Sequence, residues 1–515
     1  MEISKLPSQT FSYNRLLGNA SHFNVQQILE ENIGPCRTKI ACTVGSRCTD
    51  DRLKKLLKGG MSVARFNMAH RSYTEHTVTL ERIRAVAKEL GVHVATMMDT
   101  GHSIVSTGPL KTPDVQLHEG SQVRIITDRE IEGDATTISC NDRKLSDHVD
   151  IGDTLLVDDG SLTLKVSGVG PHIIDTVAMN ALRLTPRKKL VVLGKPSPIS
   201  AQSATSDITT WAGPNKVDIV VVPGLLTKKD AVALRQSLGS YRPLIFGKVN
   251  TAESIEACTT MLEELDGVVI SRRDLALSLA PEKIAMIQKF VVERCNAAGK
   301  PIFISSQILD SMVDRPRPTR AEVSDVANAV LDGTDGMILS ARIEEGQFAL
   351  EALEAMTRTC REAESAVIEE DLFDHLRAQV TRPLRVPNAI ASAGILAAME
   401  IRCKVLLTVS SSGNTARELA RYRPKAAIIA ITSTEAVANQ MSVLRGVTSV
   451  LVPSLLQTDR VLRRVLIHSA ERGLLKPGDL AVCIHGVQET ISGRTCLVKV
   501  VSCPCHVAQD TDVCV

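Results

Sequence analysis

From Thr38 onward, short β-branched and apolar runs alternate with segments of helical periodicity, and this repeat restricts the chain to folds assembled from βα units. The Thr38–Thr43 run is followed by a helix from Asp50, with Leu53, Leu56 and Leu57 on one face and Gly59-Gly60 as its stop. Strands are expected next at Met61–Phe66 and Val92–Met98, with an amphipathic helix around Thr77–Leu90 between them. Further strands are expected at Asp218–Val222, Leu244–Val249, Gly267–Ile270, Pro301–Ile304 and Gly336–Ser340, each leading into a helix-like segment. The total is the strand count that a closed (β/α)8 TIM barrel requires.

A stretch from roughly Pro109 to Pro198 interrupts the repeat with a different texture. Val123–Thr127 reads as a strand, and Leu155–Val157 and Leu162–Val166 flank Asp158-Asp159-Gly160, a turn sequence that predicts a hairpin. This is expected to be a small β-barrel domain inserted after the third barrel strand. Beyond about Glu370 the α/β pattern resumes with Lys404–Val409, Ala426–Thr432, Val447–Val452 and Leu480–Ile484, predicting a doubly wound C-terminal domain. The expected division is an N-terminal arm (1–35), an α/β barrel domain (36–108 and 199–369), the β insert (109–198), and a C-terminal α/β domain with a short tail (370–515).

A formal charge of +2 over 515 residues, with 3% aromatics, offers neither a basic footprint nor stacking aromatics, so no nucleic-acid partner is expected. No apolar run approaches the ~18 residues of a membrane span, and the polar N-terminus lacks a secretory core, so no membrane is expected and a cytoplasmic location is. Thirteen scattered cysteines suit reduced, mostly buried thiols. Cys503, Cys505, His506 and Cys514 near the C-terminus match no standard zinc spacing, and a disordered tail is expected there.

Reactive groups of barrel enzymes lie where the strands end and the βα loops converge. Here those positions hold Arg65 and Asn67 (strand two), Asp99 and Thr100 (three), Lys248 (five), Asp274 (six) and Ser306 (seven). Any one of them is readily explained as an ordinary polar strand end, but five converging ends are harder to dismiss.

The run Arg315-Pro316-Arg317-Pro318-Thr319-Arg320-Ala321-Glu322, continuing through Asp325 to Asp335, resembles pyruvate kinase, and the three-part layout is similar to that family over about Arg37 to Val500. The resemblance implies phosphoryl transfer from phosphoenolpyruvate to ADP, giving pyruvate and ATP in glycolysis, with Mg2+ (or Mn2+) and K+ as cofactors. It implies catalytic roles for Lys248 and Arg65 at the transferred phosphoryl group and for Ser306, in place of a family threonine, at the enolate. Asn67, His70, Asp99 and Thr100 would be cofactor-binding, with Asn67, Asp99 and Thr100 on K+ and Asp274 on Mg2+. The loop Ser410, Ser411, Ser412, Gly413, Asn414 and Thr415 matches an effector-phosphate loop, although a plain helix cap explains it equally well. The expected assembly is a homotetramer, or a mixed oligomer with an intact paralogue.

Departures from the family pattern are equally specific. The second divalent-metal carboxylate is Asn250, a neutral carbonyl where a hard cation prefers charge, and the fourth K+ ligand is Ala69, so weaker metal binding is expected. The family's Asp-Thr-Lys-Gly-Pro-Glu-Ile-Arg reads Asp99-Thr100-Gly101-His102-Ser103-Ile104-Val105-Ser106, and a substrate-facing glycine is Arg273. Its Ser-Phe-Val-Arg reads Pro223-Gly224-Leu225-Leu226, and its late Ser-Gly-Glu-Thr reads Ser340-Ala341-Arg342-Ile343. Each lost charge-assisted contact costs about 3 kcal/mol of transition-state stabilisation. Activity is therefore expected to be weakened or lost, and the alternative is a non-catalytic regulatory or structural subunit. Arg272, Arg273 and Arg342 offer replacement phosphate contacts on one reading and surface or interface arginines on the other.

Overall fold

Side chains along a β-strand alternate between two faces, so each barrel strand must satisfy a central core with one set of residues and a shell of helices with the other. The strands of the computed structural model are β1 (Lys39–Thr43), β2 (Met61–Asn67), β3 (Ala95–Asp99), β4 (Ile219–Val222), β5 (Leu244–Val249), β6 (Gly267–Ser271), β7 (Ile302–Ser305) and β8 (Gly336–Leu339). They pair in parallel and close, β1 bonding to both β2 and β8. Ala41, Val63, Met97, Val221, Phe246, Val269, Phe303 and Ile338 fall in one apolar cluster, while their neighbours Ile40, Ala64, Met98, Val220, Ile270 and Ile304 fall in another with helical residues such as Leu53, Leu80 and Val291. The structure describes residues 34–69, 71–100, 105–158, 160–195, 205–225, 227–486 and 495–504. Most of the N-terminal arm, His70, Gly101 to Ile104, Leu226, Cys505, His506 and Cys514 lie outside the described residues.

The predicted barrel strands all form, with shifted ends. Strand three was expected from Val92 but begins at Ala95, because the preceding helix, Tyr73–Leu90, ends in a left-handed Gly91 and Val92 N–H closes onto the Ala87 carbonyl at 3.0 Å. That bond commits Val92 to the helix terminus.

The insert contains a six-stranded sheet in the spatial order 190–192, 154–157, 162–170, 173–178, 122–126, 137–139, with a two-stranded ribbon of 182–184 and 115–117. Sheet and ribbon enclose one apolar core that includes Leu117, Val123, Leu155, Leu164, Ile174 and Leu184. The hairpin expected at Asp158 forms, with 154–157 antiparallel to 162–170. In the C-terminal domain β9 (Val405–Val409), β10 (Ala427–Thr432), β11 (Val447–Leu451), β12 (Leu480–Gly486) and β13 (Thr495–Ser502) stand in the order β11-β10-β9-β12-β13. The sequence pattern omits β13, which is antiparallel to β12 and so is not announced by a crossover helix. The described cysteines are free thiols, most of them buried.

Two aromatic rings fill the base of the barrel. Phe246 and Phe303 lie with centroids 6.2 Å apart, and each needs a glycine opposite: a Cβ on Gly267 would stand 2.4 Å from Phe246, and one on Gly336 would stand 2.3 Å from Phe303. Gly336→Ala is therefore expected to destabilise the barrel by about 2 kcal/mol through overpacking. Denaturant midpoints of the barrel transition test this, and Phe303→Leu in the same chain should recover most of the loss. A midpoint unchanged in the single variant would mean that the ring has room to move.

Candidate active site

The alternation that packs the barrel also sets its mouth. Two residues beyond Val63, Met97, Phe246 and Val269 on the same inward face come Arg65, Asp99, Lys248 and Ser271, so the strands carry an apolar core at one level and a charged layer at the next.

Asp99, only 3% exposed, is the centre of that layer. Arg65 donates to its Oδ2 from Nη2 at 2.5 Å and Nε at 3.2 Å, and Lys248 Nζ donates to Oδ1 at 3.0 Å and Oδ2 at 3.2 Å. Arg65 also donates from Nη1 to Thr43 Oγ1 at 2.9 Å, which holds the guanidinium across from β1. Burial alone would raise the Asp99 carboxyl, but Lys248 and Arg65 together hold it below the ordinary carboxylate value. An ammonium has three donors and a guanidinium five, so both cations keep N–H groups beyond those given to Asp99.

Asp274, on the first turn of the short helix after β6, faces a residue that the sequence reading missed. Lys189 of the insert donates to its Oδ1, while Ser271 Oγ donates to Oδ2 at 2.7 Å. Ser271 Oγ in turn lies 3.4 Å from Ser306 Oγ. Burial would raise Asp274, yet Lys189 and then Lys248 hold it far below its usual range. The available sequence signal was the basic run Arg187-Lys188-Lys189. Its placement could not be read, because the insert's contact with the barrel is set by tertiary packing.

The other expected ligands are brought near but are already bonded. Asn67 Oδ1 accepts from the Ala69 N–H at 3.3 Å, and Thr100 Oγ1 donates to the Val221 carbonyl at 3.2 Å. Asn250 is buried at 9% exposure, and Glu253 is exposed on the first turn of the next helix. Among the described residues no group of three or more His, Cys, Asp and Glu side chains is arranged to hold a metal ion.

The arginines weighed as replacement phosphate ligands behave differently from that reading. Arg272 is buried and makes a two-pronged pair with Asp325, Nη1 to Oδ1 at 2.7 Å and Nη2 to Oδ2 at 2.8 Å. It also donates to the carbonyls of Ser306 at 3.1 Å and Gln307 at 2.8 Å. Ser306 and Gln307 adopt left-handed φ values of 71° and 54°, which leaves their carbonyls turned to this guanidinium. Arg272 is thus a strut for the loop carrying Ser306, neither a free anion ligand nor a surface residue. Arg273 pairs with Asp310 at 3.1 Å, and Arg342 is exposed. In the C-terminal loop Gly413, at φ 77°, caps the Asn414–Arg421 helix without a side-chain bond; Ser410 and Thr415 are buried, and Ser411, Ser412 and Asn414 are exposed.

Because the native pKa values of Asp99 and Asp274 are depressed, each contributes stability that is present above ~4, the unfolded carboxylate value, and lost as pH falls through its native value. Asp99→Asn should show a smaller loss of stability between pH 5 and the acid range than the parent chain, measured by denaturation at stepped pH. Parallel profiles would show that Asp99 titrates alike in both states.

The chain matches the family model for the pyruvate kinase barrel domain over residues 36–353 and that for the pyruvate kinase alpha/beta domain over residues 388–501. It is 34% identical over 507 residues to pyruvate kinase of Eimeria tenella, with 96% of each chain covered, and 33% identical over 490 residues to the cytosolic isozyme of Glycine max, covering 90% of this chain and 96% of that one. Among solved structures, Cryptosporidium parvum pyruvate kinase superposes with a TM-score of 0.86 at 32% identity, covering 92% of this chain and 98% of that one. The same enzyme in complex with ADP gives 0.85 at 33% identity, with 92% and 97% covered. Fold, layout and sequence together establish that the chain belongs to the pyruvate kinase family.

Proposed function

We propose that this protein transfers the phosphoryl group of phosphoenolpyruvate to ADP, giving pyruvate and ATP in glycolysis, with turnover well below that of an intact family site. The observation that carries this reading is the pair of cations, Arg65 and Lys248, held on one buried carboxylate with donors to spare. A phosphoryl group in flight spreads charge over its oxygens, and two fixed cations stabilise it without reorganising. Arg65 and Lys248 are assigned to that group, and the Ser306 hydroxyl, linked to Ser271, to positioning the enolate.

The low turnover follows from the remaining donors. The family uses Mg2+ and K+, but a divalent cation seeks several oxygen ligands with negative charge. The mouth offers Asp274, already paired with Lys189, beside the neutral Asn250, and exposed Glu253 is no substitute. Of the K+ set, Asp99 is held by Arg65 and Lys248, Asn67 Oδ1 and Thr100 Oγ1 each make one internal bond, and Ala69 adds no ligand. With one paired carboxylate, a neutral Asn250 and no fourth K+ ligand at Ala69, the residues fit neither ion as they stand. His70 completes the proposed cofactor set by resemblance alone, and the Ser410–Thr415 loop is kept as an effector-phosphate candidate.

The same commitments favour a second reading, a non-catalytic subunit that keeps the family fold and assembles with an intact paralogue. In either case we propose a tetrameric assembly, a cytoplasmic location, and unit boundaries near residues 108, 198 and 369. Among the described residues no helix is long and apolar enough to cross a membrane.

Pyruvate formation from phosphoenolpyruvate and ADP, with Mg2+ and K+ supplied, separates the readings. A working enzyme should lose about 100-fold or more in kcat/KM on Lys248→Met. Restoring charge with Asn250→Glu and Ser106→Arg together should raise turnover about tenfold. A parent rate that survives Lys248→Met, or no rate in any variant, leaves the subunit reading.

A further inference from the structure

Two of the free thiols meet at a seam of the fold, away from the mouth. Cys36 lies just before β1, and Cys360 lies on Ala349–Ser365, the long helix beyond β8. Their side chains are hydrogen-bonded to each other. The backbone accounts for the meeting. Glu364, one helical turn beyond Cys360, accepts the N–H groups of Arg37 at 3.0 Å and Thr38 at 2.6 Å, so one face of the helix receives residues 36 to 38.

The two sulfurs have different surroundings. Cys360 is wholly buried in the outer core of the barrel, whereas Cys36 packs against that core, stays partly exposed and follows the exposed Pro35. Cys36 Sγ donates to the Thr38 carbonyl at 3.3 Å, which leaves its sulfur as the acceptor for the Cys360 thiol. The bond to Cys36, then burial, push the Cys360 thiol well above its ordinary value, so it stays protonated. Cations stand around the pair: Lys39 interacts electrostatically with Cys36, and Arg37 and Arg445 reach Glu364 at 3.6 and 3.9 Å. A partly exposed thiol in an electropositive setting, backed by a second thiol, is the arrangement that oxidants select. The other partly exposed thiol among the described residues, Cys403, donates to the Val405 carbonyl at 3.4 Å.

We propose that Cys36 and Cys360 are a peroxide-responsive pair, which on oxidation form a disulfide that clasps the entry of the first barrel strand to the helix beyond the last. The oxidant is a hydroperoxide. The Cys36 thiolate attacks one peroxide oxygen, forming an S–O bond as the O–O bond breaks, and hydrogen peroxide leaves as hydroxide. Cys360 then attacks the Cys36 sulfur: the S–S bond forms, the S–O bond breaks, and the Cys360 proton departs with the leaving oxygen as water. Both sulfurs are oxidised, the peroxide is reduced, and a dithiol reductant reverses the change. The cross-link spans the seam where β1 pairs with β8, Lys39 opposite Gly336, which must part when the barrel opens. It encloses the whole barrel and the insert, and closing a long loop restricts the unfolded chain most. None of this depends on the phosphoryl-transfer reading.

The test uses the full-length chain, reduced and then treated with hydrogen peroxide before free thiols are blocked with N-ethylmaleimide. Mass spectrometry of the digest should recover the Cys36 and Cys360 peptides linked together and separated by dithiothreitol. The oxidised parent should melt about 5 °C or more above the reduced parent, and Cys36→Ser should show no such rise. Because Cys36 is partly exposed, reduced Cys36→Ser should melt with the reduced parent; Cys36→Ala gives a second check. In Cys360→Ser the sulfenic acid on Cys36 has lost its partner, so dimedone should label Cys36 there and not in the parent. Cys36 and Cys360 recovered unlinked, Cys36 linked to a different cysteine, or a linked chain with an unchanged melting point overturns the clasp.

Discussion

One buried carboxylate organises the functional end of this barrel. Asp99 sits at the level where the inward-facing positions change from apolar to charged, and its two oxygens receive Arg65 and Lys248. Without that carboxylate two like charges would face each other in a region of low dielectric, at a cost of several kcal/mol. With it, they stand in fixed positions. The burial of Asp99 is thus what allows two cations to be concentrated at one place in the mouth.

A second tie links the site to the rest of the fold. Arg272 leaves the end of β6 and binds both the Ser306–Gln307 carbonyls and Asp325, which lies on the Arg320–Asp332 helix. That helix begins with a capping box between Thr319 and Glu322, and Glu322 also accepts from Ser311 at the loop's far end. The segment that carries the strongest resemblance is therefore also the anchor of the β7 loop. Further along, Asp335 pairs with Arg423 of the C-terminal domain at 3.2 Å, and the buried Glu364 accepts the backbone N–H groups of Arg37 and Thr38. Separate charge pairs thus tie the barrel mouth to the Arg320–Asp332 helix and the opposite end of the barrel to the C-terminal domain.

The local periodicities were legible. Eight strand positions, the insert's hairpin at Asp158, and the strand-end placement of Arg65, Asp99 and Lys248 all follow from alternation and turn chemistry over a few residues. Strand ends were less legible where a helix terminus competed, as at Val92. The edge strand β13 escaped because it returns antiparallel, outside the βα repeat.

Which cation meets which carboxylate was decided by the tertiary structure. Sequence composition shows that the mouth gained arginines and lost a carboxylate, but an arginine is equally able to bind a phosphate, a carbonyl or an aspartate. Arg272 is spent on Asp325 and two carbonyls because the left-handed turn at Ser306 and Gln307 presents them to it. Lys189 is 85 residues from Asp274 in the chain, and only the docking of the insert against the barrel brings the two together. The sequence by itself determined the fold and the family, since periodicity and capping act over short range. The pairing of charges was left to the tertiary structure, because electrostatic partners are chosen by distance in space and by which surfaces pack.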